Sequence, residues 1–383
     1  MSAPAAGTIV QVTNWNSSYL GSFMTSELAL AEAVRARFGL STHFVLAEGG
    51  GDEPWTADLD AAGVSWSVIP PGSGAAREHL RRLLVERDGR LIHAHFTAGD
   101  LAAADAARSA GVPCVWHVHT GFLGYSLRQR VKDLWKIRHV ARRSVDRVIV
   151  LGPTLAELVR RRGVPAQDVV MIPNAIALER FAELPSRAAA RERLGIDPAA
   201  TVALALGWWP EVKGVDLVLD ALAALAAADA ADAAAPAVTG LLVGEDKMYA
   251  FVDERLGGED PDWLVRSRFV SDPAWLYAAA DLFVSASRHE GQSFAAGEAL
   301  ACGLPVVLSD IPGTKLYEQA AGTTTFASGD AGGLAAAIAR LAGMGEAERA
   351  AAGEANRAWA QAHLSMQRWC DDVCAVYEEL LAA

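Results

Sequence analysis

The chain has 383 residues, a formal net charge of −12 and a hydrophobic fraction of 52%. This length is enough for two domains of ordinary size, each with its own core. The acidic balance argues against a general nucleic-acid-binding protein. No apolar run is long enough to predict a membrane-spanning helix, and the first residues do not have the pattern of a signal peptide. We therefore expect a cytoplasmic protein whose partner is a small molecule.

The first half of the chain alternates strand-like and helix-like segments. A helix is predicted over residues 25–37. The predicted strands cover residues 8–12, 43–47, 65–69, 91–95, 114–119, 147–151 and 169–172. Alternation of strands and helices predicts a doubly wound parallel sheet.

Residues 128–147 are basic in an otherwise acidic chain, with eight basic residues against two acidic ones. The basic residues are Arg128, Arg130, Lys132, Lys136, Arg138, Arg142, Arg143 and Arg147. Apolar residues lie among them, so the pattern predicts an amphipathic basic helix. Such a helix either presents a solvated outer face, which is the commoner case, or contacts an anionic membrane.

The second half begins with a charged connector over residues 178–198 and then returns to strand–helix alternation. Its predicted strands cover residues 202–206, 240–243, 267–270, 281–285 and 305–309. Two successive arrays predict an α/β architecture of two facing Rossmann-like domains with an interdomain cleft. A last helix, residues 366–381, carries apolar residues at helical spacing and is expected to bury one face.

Two carboxylates in residues 285–303 give the most direct functional signal. Glu290 is predicted in a loop after a buried strand, and Glu298 lies in the following helix. Strand-to-helix loops open at the carboxyl edge of a parallel sheet, where α/β proteins bind ligands. The backbone N–H groups of Gln292, Ser293 and Phe294 start that helix, and helix N-termini favour phosphate. Two carboxylates can accept hydrogen bonds from hydroxyl groups, and the helix N-terminus can bind phosphate. Together they suit a nucleotide sugar.

This segment, together with the following GLPVVLSDIPGT, resembles the donor site of family 4 retaining glycosyltransferases, which have the GT-B fold. The resemblance implies that Glu290 contacts the transferred sugar and Glu298 the ribose hydroxyls. It also implies an acceptor-side domain over residues 1–178, a nucleotide-sugar donor domain over residues 179–365, and a terminal helix, residues 366–383, that returns to the first domain.

Two further segments match the family in part. The resemblance places His119, which ends a predicted strand, beside the reaction centre, while the neighbouring His117 is expected to point to the opposite face of the sheet. Residues 207–214 read GWWPEVKG, where the family has an Arg after Gly207 and a Lys before the last glycine. Lys213 matches the family lysine, but Trp208 occupies the position of the family arginine. Losing a cation beside a leaving diphosphate lowers the rate unless another donor replaces it.

The loop between the first strand and the first helix matches least well. Where the family has paired glycines near the donor phosphates, this chain has only Gly21, preceded by Leu20. Glycine permits close backbone approach to a ligand. Asn16, Ser17 and Tyr19 are candidates for hydrogen bonds to an acceptor sugar, although Asn and Ser are also common in turns.

These observations predict a retaining hexosyltransferase of class EC 2.4 that moves a sugar from a nucleotide-diphosphate sugar to an acceptor hydroxyl of a small molecule, glycan or lipid-linked acceptor. Its proposed catalytic residues are His119, Lys213 and Glu290, and no metal or other cofactor is required. A GT-B sugar-nucleotide epimerase, a phosphorylase and a non-catalytic nucleotide-sugar-binding protein remain open. The sequence leaves the donor base, the sugar, the acceptor and the oligomeric state undetermined.

Overall fold

The computed structural model describes residues 7–13, 15, 20–95, 99–119, 131, 134–232, 236–270 and 272–382. The chain forms two compact units. The first contains Met1–Ala175 and Met366–Ala383, and the second contains Ile176–Ser365. Within the described ranges, none of the helices has both the length and the apolar character needed to cross a membrane.

The first unit is built on a seven-stranded sheet of order β3-β2-β1-β4-β5-β6-β7, and all of its strand pairs are parallel. The strands are β1 Thr8–Val12, β2 Ser41–Leu46, β3 Ser65–Val68, β4 Gly89–His95, β5 Cys114–Val118, β6 Arg147–Val150 and β7 Val169–Met171. The apolar segments predicted as strands in this half all form strands, with ends shifted by at most two residues. Buried parallel strands are near-continuous apolar runs, which is why they are easily recognised.

Helices cover the sheet of the first unit. They are α1 Gly21–Phe38, α2 Thr56–Ala61, α3 Ser73–Glu86, α4 Asp100–Ala110, α5 Arg142–Ser144, α6 Pro153–Arg161 and the terminal helix Met366–Leu381. The terminal helix buries Trp369, Val373 and Tyr377 in one hydrophobic cluster with Ile9 of β1 and Leu91 of β4. The apolar stripe predicted for residues 366–381 is therefore a core-packing face of this unit.

The single helix predicted over residues 128–147 is wrong at its C-terminal end. A π-helical turn, Ile137–Ala141, precedes α5, and Arg147 is the first residue of β6. Lys136 is buried and its Nζ donates to both carboxylate oxygens of Asp100 at 2.9 and 3.1 Å. One basic residue of the segment therefore pairs inside the unit because Asp100 of α4 provides a buried counter-charge. Residues 128–130, 132 and 133 lie outside the described residues.

The second unit contains a six-stranded parallel sheet of order β10-β9-β8-β11-β12-β13. The strands are β8 Thr201–Leu206, β9 Val238–Val243, β10 Leu264–Ser267, β11 Leu282–Ser285, β12 Val306–Asp310 and β13 Thr323–Ala327. The strand predicted at residues 267–270 instead begins at Leu264, whose side chain is buried beside β9. The edge strand β13 was not predicted, because its sequence TTTFA has little apolar signal.

Eight helices of the described part of the second unit flank this sheet. They are α7 Arg187–Leu194, α8 Pro210–Lys213, α9 Val215–Ala231, α10 Asp246–Leu256, α11 Ala274–Ala279, α12 Phe294–Ala301, α13 Ala331–Ala342 and α14 Glu346–His363. Each of the two sheets reverses its strand order next to its first strand, between β1 and β4 and between β8 and β11. In doubly wound sheets the ligand crevice lies outside the carboxyl ends of the strands at this point. Segments that follow β8 and β11 are therefore placed to bind a ligand.

Candidate functional site

Lys213 and Glu290 meet at the strand-order reversal of the second unit. Lys213 ends α8, which follows β8, and Glu290 lies in the loop that follows β11. The Lys213 Nζ donates to Glu290 Oε1 at 2.5 Å, and the Ser287 hydroxyl donates to the same oxygen at 2.7 Å. The two charged side chains are 16% and 11% exposed, so they are partly desolvated but still reachable from solvent. Two residues that are 77 positions apart thus form one charged centre.

Two glycines allow the chain to pass close to this centre. Gly214 has φ 66°, and a Cβ there would lie 2.1 Å from the Ala286 carbonyl oxygen. A Cβ on Gly313 would lie 2.4 Å from the backbone oxygen of Glu290. A Cβ built on Gly207 would likewise lie only 2.7 Å from the Val215 side chain. Backbone segments therefore pack directly against the loops that carry Lys213 and Glu290.

Trp208 is an exposed side chain and not a core residue. It is 44% exposed, and the Lys213 Nζ lies 5.7 Å from its ring centroid, within the range of a cation–π contact. On the Glu290 loop, Arg288 is the neighbouring cation. Its guanidinium donates to both oxygens of Asp216 at 2.8 and 2.6 Å, and this pair raises the pKa of Arg288. Arg288 therefore fastens the Glu290 loop to the start of α9.

Glu298, the second carboxylate of the predicted donor site, lies in α12 and is only partly buried. The buried Tyr277 donates its hydroxyl proton to Glu298 Oε2 at 2.7 Å. Burial, followed by the nearby Glu298 charge, raises the pKa of Tyr277 well above its usual value. Tyr277 is therefore a fixed donor that orients this carboxylate.

Hydrogen bonds that involve Gln292, Ser293 and Tyr317 fix the start of α12. Ser293 is the N-cap residue, and its hydroxyl accepts from the Ala296 N–H at 3.3 Å. Tyr317 donates its hydroxyl proton to the Ser293 carbonyl at 2.6 Å, and Gln292 Nε2 donates to the Tyr317 hydroxyl oxygen at 3.3 Å. Phe294 is the first residue of the helix. A helix N-terminus has backbone N–H groups without intrahelical acceptors and a partial positive charge.

The remaining predicted residues of the described chain lie in the first unit. Gly21 has φ 68° and begins α1. His119 follows β5 and is 7% exposed. Burial lowers the pKa of His119 to about 3, although a hydrogen bond with Asn174 partly opposes this shift. His119 is therefore neutral near pH 7. The predicted acceptor residues Asn16, Ser17 and Tyr19 lie outside the described residues.

His119 is one of four histidines that lie together on one face of the sheet. His117 and His119 stack with ring centroids 4.1 Å apart, so the expectation that they face opposite ways is wrong. Residues two positions apart on a strand share a face. His95 Nδ1 and His119 Nε2 are 3.0 Å apart, and His93 and His95 have ring centroids 4.1 Å apart. Burial lowers the pKa values of His93, His95 and His117 well below the usual value, so these rings are neutral.

Three contacts at the site were missed at the level of sequence. Ser287 precedes Glu290 by three residues, so a loop serine close to a predicted site was the available signal. Tyr277 and Tyr317 reach Glu298 and Ser293 from other elements, and no spacing in the sequence connects them. Only the packing of α11 and of the turn Lys315–Gln319 brings these hydroxyl groups to α12.

Two family models match the chain, one to each unit. The model described as Glycosyltransferase Family 4 matches residues 29–180, and the model described as Glycosyl transferases group 1 matches residues 200–343. The chain belongs to the family 4 type of GT-B glycosyltransferases. Together the two matched ranges include Lys213, Glu290 and Glu298 of the second unit and His119 of the first.

Curated relatives agree with this family. A D-inositol 3-phosphate glycosyltransferase of Mycobacterium sp. (strain KMS) is 29% identical over 265 residues, which cover 67% of this chain and 60% of the relative. An Escherichia coli UDP-Gal:alpha-D-GlcNAc-diphosphoundecaprenol alpha-1,3-galactosyltransferase is 27% identical over 246 residues, which cover 62% of each chain. The family 4-type chain thus spans about three fifths of the length of these relatives.

Solved structures share the fold over nearly the whole chain. The Anabaena protein Alr3699/HepE, solved in complex with UDP, matches with a TM-score of 0.80 and 21% identity over 98% of this chain and 100% of its own. Sucrose-phosphate synthase from Thermosynechococcus elongatus matches with a TM-score of 0.79 and 19% identity over 98% of this chain and 99% of its own. At these identities the similarity shows the GT-B fold of the family 4-type chain.

Proposed function

We propose that the protein is a retaining glycosyltransferase of class EC 2.4 that transfers a sugar from a nucleotide-diphosphate sugar to an acceptor hydroxyl. The observation that carries the proposal is the Lys213–Glu290 pair at the strand-order reversal of the second unit. A cation and a carboxylate at this position offer one group to a diphosphate and one to sugar hydroxyls. Family membership and the relatives that act on sugars support it.

The proposed donor site uses the start of α12 and both carboxylates. Lys213 and the first N–H groups of α12 stabilise the diphosphate, so the proposal requires no metal ion there. Glu290 accepts from sugar hydroxyls, and Glu298, oriented by Tyr277, accepts from the ribose hydroxyls. Structures of Alr3699/HepE with UDP and with UDP-glucose support a uridine diphosphate donor as the first to test.

In the proposed reaction the bond from the anomeric carbon to the diphosphate oxygen breaks, and its electron pair leaves with the diphosphate. The acceptor oxygen forms a new bond to the same face of the anomeric carbon, and its proton passes to the departing phosphate oxygen. Lys213 stabilises the charge that develops on that oxygen, and neutral His119 is assigned a hydrogen bond to the sugar. Positioning and electrostatic stabilisation supply the rate enhancement.

Paired lysine and arginine variants test the role of Lys213. Lys213→Ala removes the cation of the Glu290 pair, whereas Arg193→Ala removes a cation that lies 4.7 Å from the Trp275 ring centroid elsewhere in the same unit. We expect Lys213→Ala to lose the thermal stabilisation that UDP gives the parent protein. Release of UDP from UDP-glucose, measured with a coupled assay, should fall by about 100-fold or more in Lys213→Ala. Arg193→Ala should retain both properties.

The same measurements include the outcomes that contradict the proposal. Equal UDP binding by Lys213→Ala and the parent protein would remove Lys213 from the donor site. If neither uridine nor guanosine diphosphates and their sugars stabilise the parent protein, the donor proposal itself fails. Glu290→Gln keeps an acceptor for Lys213 and Ser287, so a fall in turnover with unchanged melting temperature assigns the charge of Glu290 to the reaction.

The exposure of Trp208 favours one alternative, a protein that binds a nucleotide sugar without transferring it, because an exposed indole replaces the family arginine. Binding of UDP-glucose with no release of UDP above the uncatalysed rate would support this alternative. Product analysis with and without an acceptor separates transfer from the epimerase and phosphorylase reactions. Trp208→Arg restores the family cation and is expected to raise turnover if the missing charge limits the rate.

Peripheral membrane contact and a cytoplasmic location remain our proposals. In the basic segment Val131, Leu134 and Trp135 are 58%, 42% and 53% exposed, and Arg138, which follows them in the sequence, is also exposed. Apolar and basic side chains together suit an anionic lipid surface. Sedimentation with phosphatidylserine vesicles at low salt tests this contact, with Trp135→Ser expected to reduce the bound fraction. Equal sedimentation with neutral vesicles would argue against it.

A further inference from the structure

A group of buried polar side chains lies inside the first unit, between the sheet and the helices α1 and Met366–Leu381. His93, His95 and His117 each place one ring nitrogen in a common group. The three nitrogen atoms of this group all lie within 4.8 Å of one another. All three side chains are 2% exposed or less, and Glu27 of α1 is fully buried beside them. Glu27 Oε1 is 3.6 Å from His95 Nδ1.

Several polar atoms of this group have no hydrogen-bond partner among the residues that the structure describes. They are His93 Nε2, both ring nitrogens of His117 and both carboxylate oxygens of Glu27. Each unsatisfied buried polar atom costs on the order of 1–3 kcal/mol. Five of them in one place would therefore consume a large part of the stability of an ordinary domain, which is about 5–15 kcal/mol. Such a concentration is expected where a ligand satisfies the atoms together.

The hydrogen bonds that do exist orient two of the rings. His93 Nδ1 is 2.6 Å from the Tyr377 hydroxyl, and His95 Nε2 is 2.9 Å from Gln11 Oε1. Gln11 Nε2 in turn donates to the Tyr377 hydroxyl at 2.9 Å. In metal sites a ligating histidine commonly donates its outer ring N–H to a fixed acceptor, which leaves the other nitrogen facing the metal. Tyr377 and Gln11 are placed to act in this way for His93 Nε2 and His95 Nδ1.

We propose that His93, His95 and His117 bind one divalent transition-metal ion, with Glu27 as the fourth ligand or as the counter-charge next to it. Neutral imidazoles with a carboxylate suit Zn²⁺, which takes four ligands in a tetrahedral arrangement. The buried carboxylate offsets one of the two positive charges of the ion. All residues of the proposed site belong to the first unit.

Metal binding in this arrangement competes with a contact to the predicted catalytic histidine. His95 Nδ1, the nitrogen assigned to the metal, lies 3.0 Å from His119 Nε2. If His95 Nε2 carries the proton donated to Gln11, Nδ1 has a lone pair that accepts from His119. A metal ion that takes this lone pair breaks the hydrogen bond. Occupancy of the site is therefore coupled to the position of His119.

Metal content gives the direct test. The full chain, without a histidine tag, is produced in medium with added Zn²⁺, desalted without chelator and analysed by atomic emission. We expect about one zinc per chain in the parent protein. Growth with Co²⁺ instead should give the visible absorption of tetrahedral Co²⁺ with nitrogen ligands. A parent protein with less than about a tenth of an equivalent of either metal would overturn the proposal.

Three variants separate a metal site from a packed histidine cluster. His117→Phe removes a ring whose two nitrogens have no hydrogen-bond partner in the described part of the chain, so the fold should survive, and zinc content should fall to background. Tyr377→Phe removes the acceptor of His93 and should weaken zinc binding about 10-fold or more in competition with a chelator. His363→Ala changes a histidine of the second unit and should leave zinc content unchanged. Equal zinc in His117→Phe and the parent protein would contradict the assignment.

Discussion

Asp281 holds a buried charge network just before β11, the strand that leads to the Glu290 loop. Its side chain is fully buried, and its Oδ2 accepts from Arg191 at 2.7 Å and from the Val202 N–H at 2.7 Å. Arg349 donates to the other oxygen at 2.9 Å, and Arg187 pairs with the same oxygen. Arg191 is itself 1% exposed, and burial lowers its pKa. We predict that Asp281→Asn strongly destabilises the second unit.

The expected loss of stability depends on which buried charge each substitution leaves without a partner. Asparagine keeps an oxygen for the Val202 N–H but leaves the Arg191 charge buried and uncompensated, which costs about 3–5 kcal/mol. Arg191→Met removes the buried charge, while Asp281 keeps its pairs with Arg187 and Arg349, so the cost is about 1.5–3 kcal/mol. The double variant removes the charges of both Asp281 and Arg191, so neither is left without its partner. Its destabilisation should be smaller than the sum of the two single effects by about 1 kcal/mol or more.

Native-state hydrogen exchange with mass spectrometry measures these effects peptide by peptide. Peptides from β8 and β11 should lose protection in Asp281→Asn, while peptides from β1 and β4 of the first unit serve as the internal control. A loss below about 1 kcal/mol, or additive effects in the double variant, would show that the buried pair is not energetically coupled. Equal loss in both units would show that the effect is not local to Asp281.

Two further predictions concern backbone strain and pH. Gly214→Ala should destabilise the second unit by at least about 2 kcal/mol and reduce UDP binding, because its Cβ would meet the Ala286 carbonyl at 2.1 Å. Gly257→Ala, also at positive φ but with no atom within 4 Å, should cost about 1 kcal/mol, and equal effects would contradict the clash. His43 is buried beside Arg87 and His79, and burial lowers its pKa to about 3. Because the unfolded state binds the proton more tightly, this histidine should cost the first unit about 1.4 kcal/mol of stability per pH unit as pH falls below 6.5. His43→Phe should reduce the pH slope in urea titrations at pH 4–7 by this amount, while the other buried histidines of the unit keep their own contributions. An unchanged slope would refute the assignment.

The sequence predicts most strands of the two parallel sheets and the segments that carry the proposed donor site. Buried parallel strands are continuous apolar runs, so the sequence predicts the ends of β4, β5 and β11 to within one or two residues of the observed ends. Glu290, Glu298 and Lys213 are recognisable as candidates because the segments that carry them follow such strands. The strand β13 escaped because threonine-rich edge strands have no comparable pattern. The sequence pattern predicts one helix over residues 128–147, because periodicity does not show that Lys136 pairs with Asp100.

Tertiary structure alone decided which distant groups meet. The Lys213–Glu290 pair, the Tyr277–Glu298 bond and the Arg191–Asp281 pair join residues that are 77, 21 and 90 positions apart. The histidine group likewise required β4, β5, α1 and the terminal helix to bring His93, His117, Glu27 and Tyr377 together. Hydrophobic periodicity reports which face of an element is buried, because burial depends on each residue's own polarity. Partner choice depends on register and packing between elements, which only the folded chain defines.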